Sequence, residues 1–272
     1  MSQTLIDALL ERLARESAVL VQVQSTQGSA PREAGAWMAV FAEGAPVGTV
    51  GGGHLEWDAI AIARRALAGE PLDVQKRFAL GPSLGQCCGG VVHLGFELLQ
   101  AAQAGALRAR LEAAADAERM PVALFGGGHV GHAIVNALLP LPVRVHWIDS
   151  RDEVFPPALP RWVVTEHSAP VQAAVAEIAA LSRVLIMSFS HAEDLDIVAA
   201  CLQRQRECGD LPFVGLIGSK SKWAAFKHRL EARGFAATEL THITCPIGVA
   251  GVVGKEPAVI AAAVVAQLMQ RR

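Results

Sequence analysis

One stretch leaves this chain few folds to choose from. Residues 121–149 read PVALFGGGHVGHAIVNALLPLPVRVHWID. The apolar run Val122 to Phe125 has strand character and leads directly into Gly126, Gly128 and Gly131, spaced G-x-G-x-x-G. A helical stripe of Val130, Ile134, Val135, Leu138 and Leu139 follows, Pro140 and Pro142 stop it, and Val143 to Ile148 forms a second strand ending at Asp149. Strand, glycine turn, helix, strand and acid in that order are the fingerprint of a Rossmann βαβ unit. Gly126 permits the sharp turn, Gly128 lets the backbone approach a phosphate, and Gly131 lets the helix pack on the strand. The free N–H groups of the helix start favour an anion, and Asp149 stands where a ribose hydroxyl binds. The same glycines also have a purely structural reading, in helix–sheet packing.

Downstream the alternation continues. Short strands are expected at Trp162 to Val164, Arg183 to Met187, Phe213 to Ile217 and Ile243 to Cys245. Helices are expected at Pro170 to Leu181, Glu193 to Gln205, Ser221 to Arg233 and Pro257 to Met269. That completes six strands, the full doubly wound count. Upstream the spacing is irregular. A helix with Leu5, Ile6, Leu9, Leu10 and Leu13 on one face follows Ser2 as N-cap, and strands follow at Ala18 to Val23, Trp37 to Phe41 and Val47 to Val50. A helix from Leu55 to Ala68 and strands at Val74 to Leu80 and Val91 to Leu98 complete this half. The expected organisation is an α+β domain over 1–100, a helical linker over 101–119 and a Rossmann-type doubly wound parallel sheet over 120–272.

The 272 residues suffice for two ordinary domains. A formal net charge of −2 implies no polyanion-binding surface, so nucleic acid is not an expected partner. Residues 120–143 carry no Asp, Glu, Lys or Arg, yet three successive glycines, two histidines and an asparagine inside them fit a buried βα unit and not a membrane span. The amphipathic start MSQTLIDALLERLARES bears both charge signs and does not read as a signal peptide. Five cysteines without repeating spacing argue against a disulfide framework and for a reducing cytoplasm.

Three loops in the first half share a character: Gly28 to Glu33, Thr49 to Glu56 and Gly85 to Gly90. Gly51-Gly52-Gly53 before a helix is either an anion nest or a geometric turn. Arg32 either pairs with an oxyanion or is a surface charge. His54 and Glu56 open the helix, and the helix dipole alone explains the acid. Cys87-Cys88, flanked by glycines, is either structural or a thiolate able to bind a soft metal or sulfur; adjacent cysteines seldom chelate one zinc. Cys201, Cys208 and Cys245 read as structural. In the second half His191 follows a buried strand and so faces the ligand crevice of this fold. Asp194 and Asp196 read as helix caps, and Lys220 and Lys222 as anion ligands or solvated charge.

The segments GSAPREAGAWMAV, TVGGGHLE, LGQCCGG, VALFGGGHVG, WIDSR, SHAEDLD, GLIGSKSKWAAF and CPIG occur in family order over nearly the whole chain. On them the sequence resembles the xanthine dehydrogenase accessory factor family of XdhC/CoxI type. The resemblance implies a two-domain protein without catalytic turnover of its own. It implies binding of the molybdenum cofactor (molybdopterin), protection of that cofactor during sulfuration, and its insertion into a xanthine dehydrogenase-type apoenzyme of purine catabolism. A cysteine desulfurase supplies the terminal sulfur. A cytoplasmic homodimer is expected. The family's cysteine loop maps onto Cys87-Cys88, the metal candidates. The cofactor-binding candidates are Arg32, Gly51, Gly52, Gly53, His54, Cys87 and Cys88, with Gly126, Gly128, Gly131, Asp149 and His191 in the Rossmann half, where a nucleotide is the other candidate ligand. Two competing readings are an NAD(P)-dependent oxidoreductase and a sulfurtransferase carrying a persulfide on Cys87 or Cys88. Against the first, the chain has no tyrosine and so no Tyr-x-x-x-Lys pair.

Overall fold

The structure, a computed structural model, describes residues 3–80 and 89–270. The chain divides into two compact units, Met1–Ala117 and Glu118–Arg272.

In the first unit, α1 (Gln3–Leu13) precedes β1 (Ala18–Gln27), β2 (Trp37–Phe41) and β3 (Val47–Gly48); α2 (Gly53–Leu67), β4 (Gln75–Ala79), β5 (Val91–Leu99) and α3 (Ala104–Ala117) follow. The expected N-cap of α1, Ser2, lies outside the described residues. The strands form an antiparallel sheet in the order β3-β2-β1-β5-β4. Strand β1 is central and buried on both faces, which explains its unbroken run Ala18 to Val21. Ala18 and Leu20 face α1 and α3, meeting Ile6, Leu9, Leu13, Leu107 and Leu111. Val19, Val21 and Val23 face α2, meeting Leu55, Ala59 and Ala63. Each such Val, Leu or Ile contributes about 1.5–3 kcal/mol of burial. The 101–119 stretch thus holds a helix whose Leu107 and Leu111 belong to the core of this unit.

The second unit is a parallel sheet of β6 (Met120–Phe125), β7 (Val143–Asp149), β8 (Val163–His167), β9 (Arg183–Ile186), β10 (Phe213–Leu216) and β11 (Ile243–Thr244). Its order is β11-β10-β9-β6-β7-β8, the doubly wound Rossmann arrangement, with the switch point between β6 and β9. Helices α4 (His129–Leu138) and α8 (Pro257–Met269) cover one face through Ile134, Val135, Leu138, Val264 and Leu268. The other face is covered by α5 (His191–Cys208), α6 (Lys220–Ala232) and the short α7 (Ala237–Leu240), an element the sequence reading lacks.

One expected element changes type. Pro170 to Leu181 forms a 3₁₀ segment over Val171–Ala176 in place of an α-helix. Its buried residues are Val171, Ala174 and Val175, a spacing that a three-residue and an α-helical turn both satisfy. No helix among the described residues is long and apolar enough to cross a membrane.

Candidate functional site

In the first unit, glycine packing shows that the motif loops meet. A Cβ on Gly51 would lie 2.5 Å from Pro31 Cγ and 3.5 Å from Arg32 Cγ. A Cβ on Gly90 would lie 2.2 Å from the carbonyl oxygen of Ser29, and one on Gly28 would lie 3.3 Å from Gly90 Cα. The Gly28–Arg32 loop therefore touches both the triple-glycine turn and the segment that begins at Gly89. Cys87 and Cys88 lie outside the described residues. Arg32 and His54 are exposed, and Trp57, one turn beyond, is 67% exposed with its ring 6.4 Å from that of His54.

The triple-glycine turn already holds an anion of its own. One oxygen of Glu56, Oε2, accepts the Val50 and Gly52 N–H groups, each at 3.1 Å, and the Thr49 hydroxyl. Gly51 N–H turns to Thr49 Oγ1 at 3.0 Å. Dipole compensation therefore understates Glu56, which ties the loop to the first turn of α2. Gly51, Gly52 and Gly53 all have positive φ, and a Cβ on Gly52 would meet nothing within 4 Å. The approach to the turn at Gly52 is open.

In the second unit, each fingerprint glycine has a distinct environment. Gly126, at φ 129°, would place a Cβ 2.0 Å from the carbonyl oxygen of Met187. Gly131 would place one 2.1 Å from the Gly126 carbonyl oxygen, which also accepts Trp147 Nε1–H at 3.0 Å. Gly128, the N-cap of α4, faces open space. No side chain caps α4, whereas Ser190 and Ser219 cap α5 and α6.

Asp149 is buried at the end of β7, and its carboxylate is fully engaged. Oδ2 accepts Gly127 N–H at 2.5 Å and Arg151 Nη2 at 2.9 Å. Oδ1 accepts Arg151 N–H and Nε, both at 2.9 Å. Burial pushes its pKa up, but the hydrogen bonds from Arg151 and Gly127 outweigh that and hold it below the usual carboxylate range. A depressed folded pKa gives stability that is present above the unfolded value, about 4, and lost as pH falls through the folded one. Asp149→Asn is therefore expected to flatten the acid limb of stability. Urea midpoints measured from about pH 7 down to about pH 3 check this, and parallel curves for variant and wild type refute it.

His191 opens α5, exposed, with its ring edge-on to Phe226 at 6.4 Å. Next to it lies a pair that the sequence reads as a helix cap, Asp194, and as an anion ligand or solvated charge, Lys222. Lys222 Nζ donates to Asp194 Oδ2 at 2.6 Å and to the Ile217 carbonyl at 2.9 Å, and both side chains are nearly buried. Arg151 and Phe189 also escaped that reasoning: the guanidinium lies 4.7 Å from the centroid of a ring that is 66% exposed. The D-x-R spacing in WIDSR was the available signal for Arg151. Cys201 is buried, which pushes its thiol up to about 12, whereas Cys208 is exposed.

Comparison with known proteins follows this division. The model for the XdhC Rossmann domain matches residues 122–268, and that for the XdhC and CoxI family matches residues 12–78. The uncharacterized protein YqeB of Escherichia coli (strain K12) is 26% identical over 256 residues, 92% of this chain and 43% of that protein. A protein of Bacillus subtilis (strain 168) described as a probable xanthine dehydrogenase component is 34% identical over 98 residues, 34% of this chain and 28% of that one. The chain thus spans less than half the length of these curated relatives. A crystal structure described as a xanthine dehydrogenase from Bacillus halodurans shares the fold, with a TM-score of 0.71 and 19% identity over 99% of this chain and 95% of that one. With the Rossmann-domain model matching more than half of its length, the chain belongs to the XdhC and CoxI family.

Proposed function

We propose that this protein is an accessory factor for a xanthine dehydrogenase-type molybdoenzyme. It carries the molybdenum cofactor as cargo, protects it during sulfuration by a cysteine desulfurase, and passes it to the apoenzyme without turnover of its own. The observation that carries this reading is the meeting of the Gly28–Arg32 loop with both the triple-glycine turn and Gly90. That meeting sets an exposed guanidinium and an open glycine approach beside the segment leading out of Cys87-Cys88. The two Bacillus relatives described as xanthine dehydrogenases support the choice of client enzyme.

The cargo has a phosphate, a pterin and a metal, and this chain offers a group for the first and the last. Arg32 suits its phosphate, since a guanidinium forms paired hydrogen bonds with oxyanions. Gly52 lets the backbone come close, while Glu56 fixes the turn and removes two of its amides from the anion's reach. A thiolate at Cys87 or Cys88 suits molybdenum, a metal with affinity for sulfur.

The test is loading and delivery by the Cys87→Ala/Cys88→Ala variant, purified from a molybdate-fed host. Molybdenum and pterin per protein are expected to fall about tenfold or more, since losing even an outer partner of a metal ligand costs about 10–100-fold in metal affinity. Reactivation of a cofactor-free xanthine dehydrogenase is expected to fall in step, while the thermal midpoint stays near that of wild type. A double variant that loads and delivers normally rules out the thiolate role.

A further inference from the structure

Most tryptophan in this chain is packed away, and one ring is not. Trp37, Trp147 and Trp223 are buried and Trp162 is half-buried, whereas Trp57 is 67% exposed. An indole in that state leaves a large apolar surface in water. The helix fixes its position, because Leu55, Ala59 and Ala63 of α2 pack onto the sheet. Trp57 is two residues from Leu55, about 200° around the axis, and so stands on the opposite face. Helical side chains lean back toward the N-terminus. The indole accordingly lies beside His54, with the two rings 6.4 Å apart and tilted by 53°. His54 in turn is two residues from Gly52, where the approach is open.

A large exposed ring serves either a flat ligand or a partner protein, and its neighbours separate the two. A protein interface has an apolar core several residues wide. Among the described residues of the first unit, the other large apolar side chains that are exposed are Val74 and Leu98. The Val74 carbonyl accepts the Phe96 N–H, so both lie toward the far end of β5. Counted from Val91, Phe96 and Leu98 are about 17–23 Å along the strand. The near end is where Gly90 meets the Gly28–Arg32 loop, and α2 starts there because Gly51 packs on Pro31. Arg64, seven residues along α2 and so on the same face as Trp57, donates to the Gly44 carbonyl at 2.8 Å, which makes that face polar. No apolar patch surrounds Trp57 among the described residues. What lies beside it is the open turn at Gly52, with the exposed Arg32 packed on Gly51.

We propose that Trp57 is the platform on which the pterin of the cargo stacks, with His54 bracing the indole and the phosphate reaching the turn at Gly52 and Arg32. The inference rests on the carrier reading and supplies a contact for the part of the cargo that Arg32 and a thiolate leave untouched. It makes Trp57 a specificity-determining residue. A guanidinium holds any small phosphate ester, whereas only a flat ring gains from the face of an indole. The spacing fits. Gly52 precedes Trp57 by five residues, about 7.5 Å along the helix axis, which is comparable with the length of a fused two-ring heterocycle.

Full-length Trp57→Ala, Trp57→Leu and Trp57→Phe, purified from a molybdate-fed host, test it. Pterin per protein is read by fluorescence after release and oxidation. It is expected to fall about tenfold or more in the Ala and Leu variants, the scale of one lost stacking contact, and to stay within about threefold of wild type in the Phe variant. The thermal midpoints should not move, because the ring is exposed. Reactivation of a cofactor-free xanthine dehydrogenase, expressed per bound cofactor, should equal that of wild type. The inference is overturned if Trp57→Ala loads like wild type, or if Trp57→Leu holds pterin as well as Trp57→Phe does. Variants that stay loaded but fail to deliver also overturn it, since Trp57 then anchors the client enzyme. Wild type that carries neither molybdenum nor pterin sinks the carrier reading and this inference with it, whereas equal loading of wild type and Trp57→Ala sinks this inference alone.

Discussion

Gly126→Ala is expected to cost about 3 kcal/mol or more of stability, whereas Gly128→Ala, two residues on, is expected to cost about 1 kcal/mol or less. The difference follows from where the new methyl group goes. At Gly126 it would sit 2.0 Å from the Met187 carbonyl oxygen, on a backbone whose φ of 129° L-residues rarely adopt. That oxygen belongs to main chain at the end of β9, so relief requires moving the strand. Met187 N–H also donates to the Phe125 carbonyl at 2.8 Å, so the strand cannot move alone. Gly128 has φ −81° and ψ −179°, ordinary extended backbone, and an added Cβ meets nothing within 4 Å. Its cost is the small loss of glycine as an N-cap. Urea midpoints of the two single variants decide the matter. Equal losses would mean that the turn relaxes freely and that the close contact at Gly126 does not constrain it. Gly128→Val, similarly tolerated in stability, is the variant that separates ligand approach from folding, since its side chain occupies the open space.

Most of the second unit is legible in the sequence because its signals are local. The run Val122 to Phe125, the glycines and the prolines sit within one βα unit, and β6, α4 and β7 fall where periodicity places them. The 3₁₀ segment at Val171–Ala176 was less legible. Alanine-rich composition favours an α-helix, and the buried positions Val171, Ala174 and Val175 fit either helical period, so the pattern does not separate the two. In the site, the glycines were legible by spacing, and their packing against Met187 and Pro31 was not. Partners set by tertiary structure, such as Lys222 for Asp194 28 residues earlier, leave no periodic trace. Glu56 is an intermediate case. Its reach back to Gly52 spans four residues, but nothing in the sequence distinguishes an acid that compensates a dipole from one that fills a nest.

Lys222→Met is expected to be the most damaging single charge change in the second unit, costing about 3–5 kcal/mol. The ammonium group joins three elements. It donates to Asp194 on the first turn of α5 and to the Ile217 carbonyl after β10, and it rises from the first turn of α6. Asp194 in turn accepts the backbone N–H and the hydroxyl of Ser188, both at 2.8 Å, which holds the β9–α5 loop. Removing Lys222 leaves a carboxylate that is 2% exposed without its counter-ion, and the desolvation cost of that charge is no longer offset. Surface pairs in the same unit, such as Arg206 with Glu239, should lose about 1 kcal/mol or less when broken, because water solvates the remaining partner. Asp194→Asn should fall between these limits, since the amide oxygen still accepts from Ser188 while the lysine loses its charge partner. The decisive measurement is the double variant Asp194→Asn/Lys222→Met. With both charges gone it should be more stable than Lys222→Met alone, so that the loss in the double variant is smaller than the sum of the two single losses. A double variant as unstable as the sum of the two singles would mean that the pair acts through side-chain packing, with Lys222 serving mainly as an aliphatic stem over Phe226. The pair's position also sets a functional expectation. It fixes the starts of α5 and α6 relative to the strands, and so the positions of Phe189, His191 and Glu193 at the crevice. The loss of stability should therefore be accompanied by faster amide hydrogen exchange at the start of α5 even under conditions where the variant remains folded.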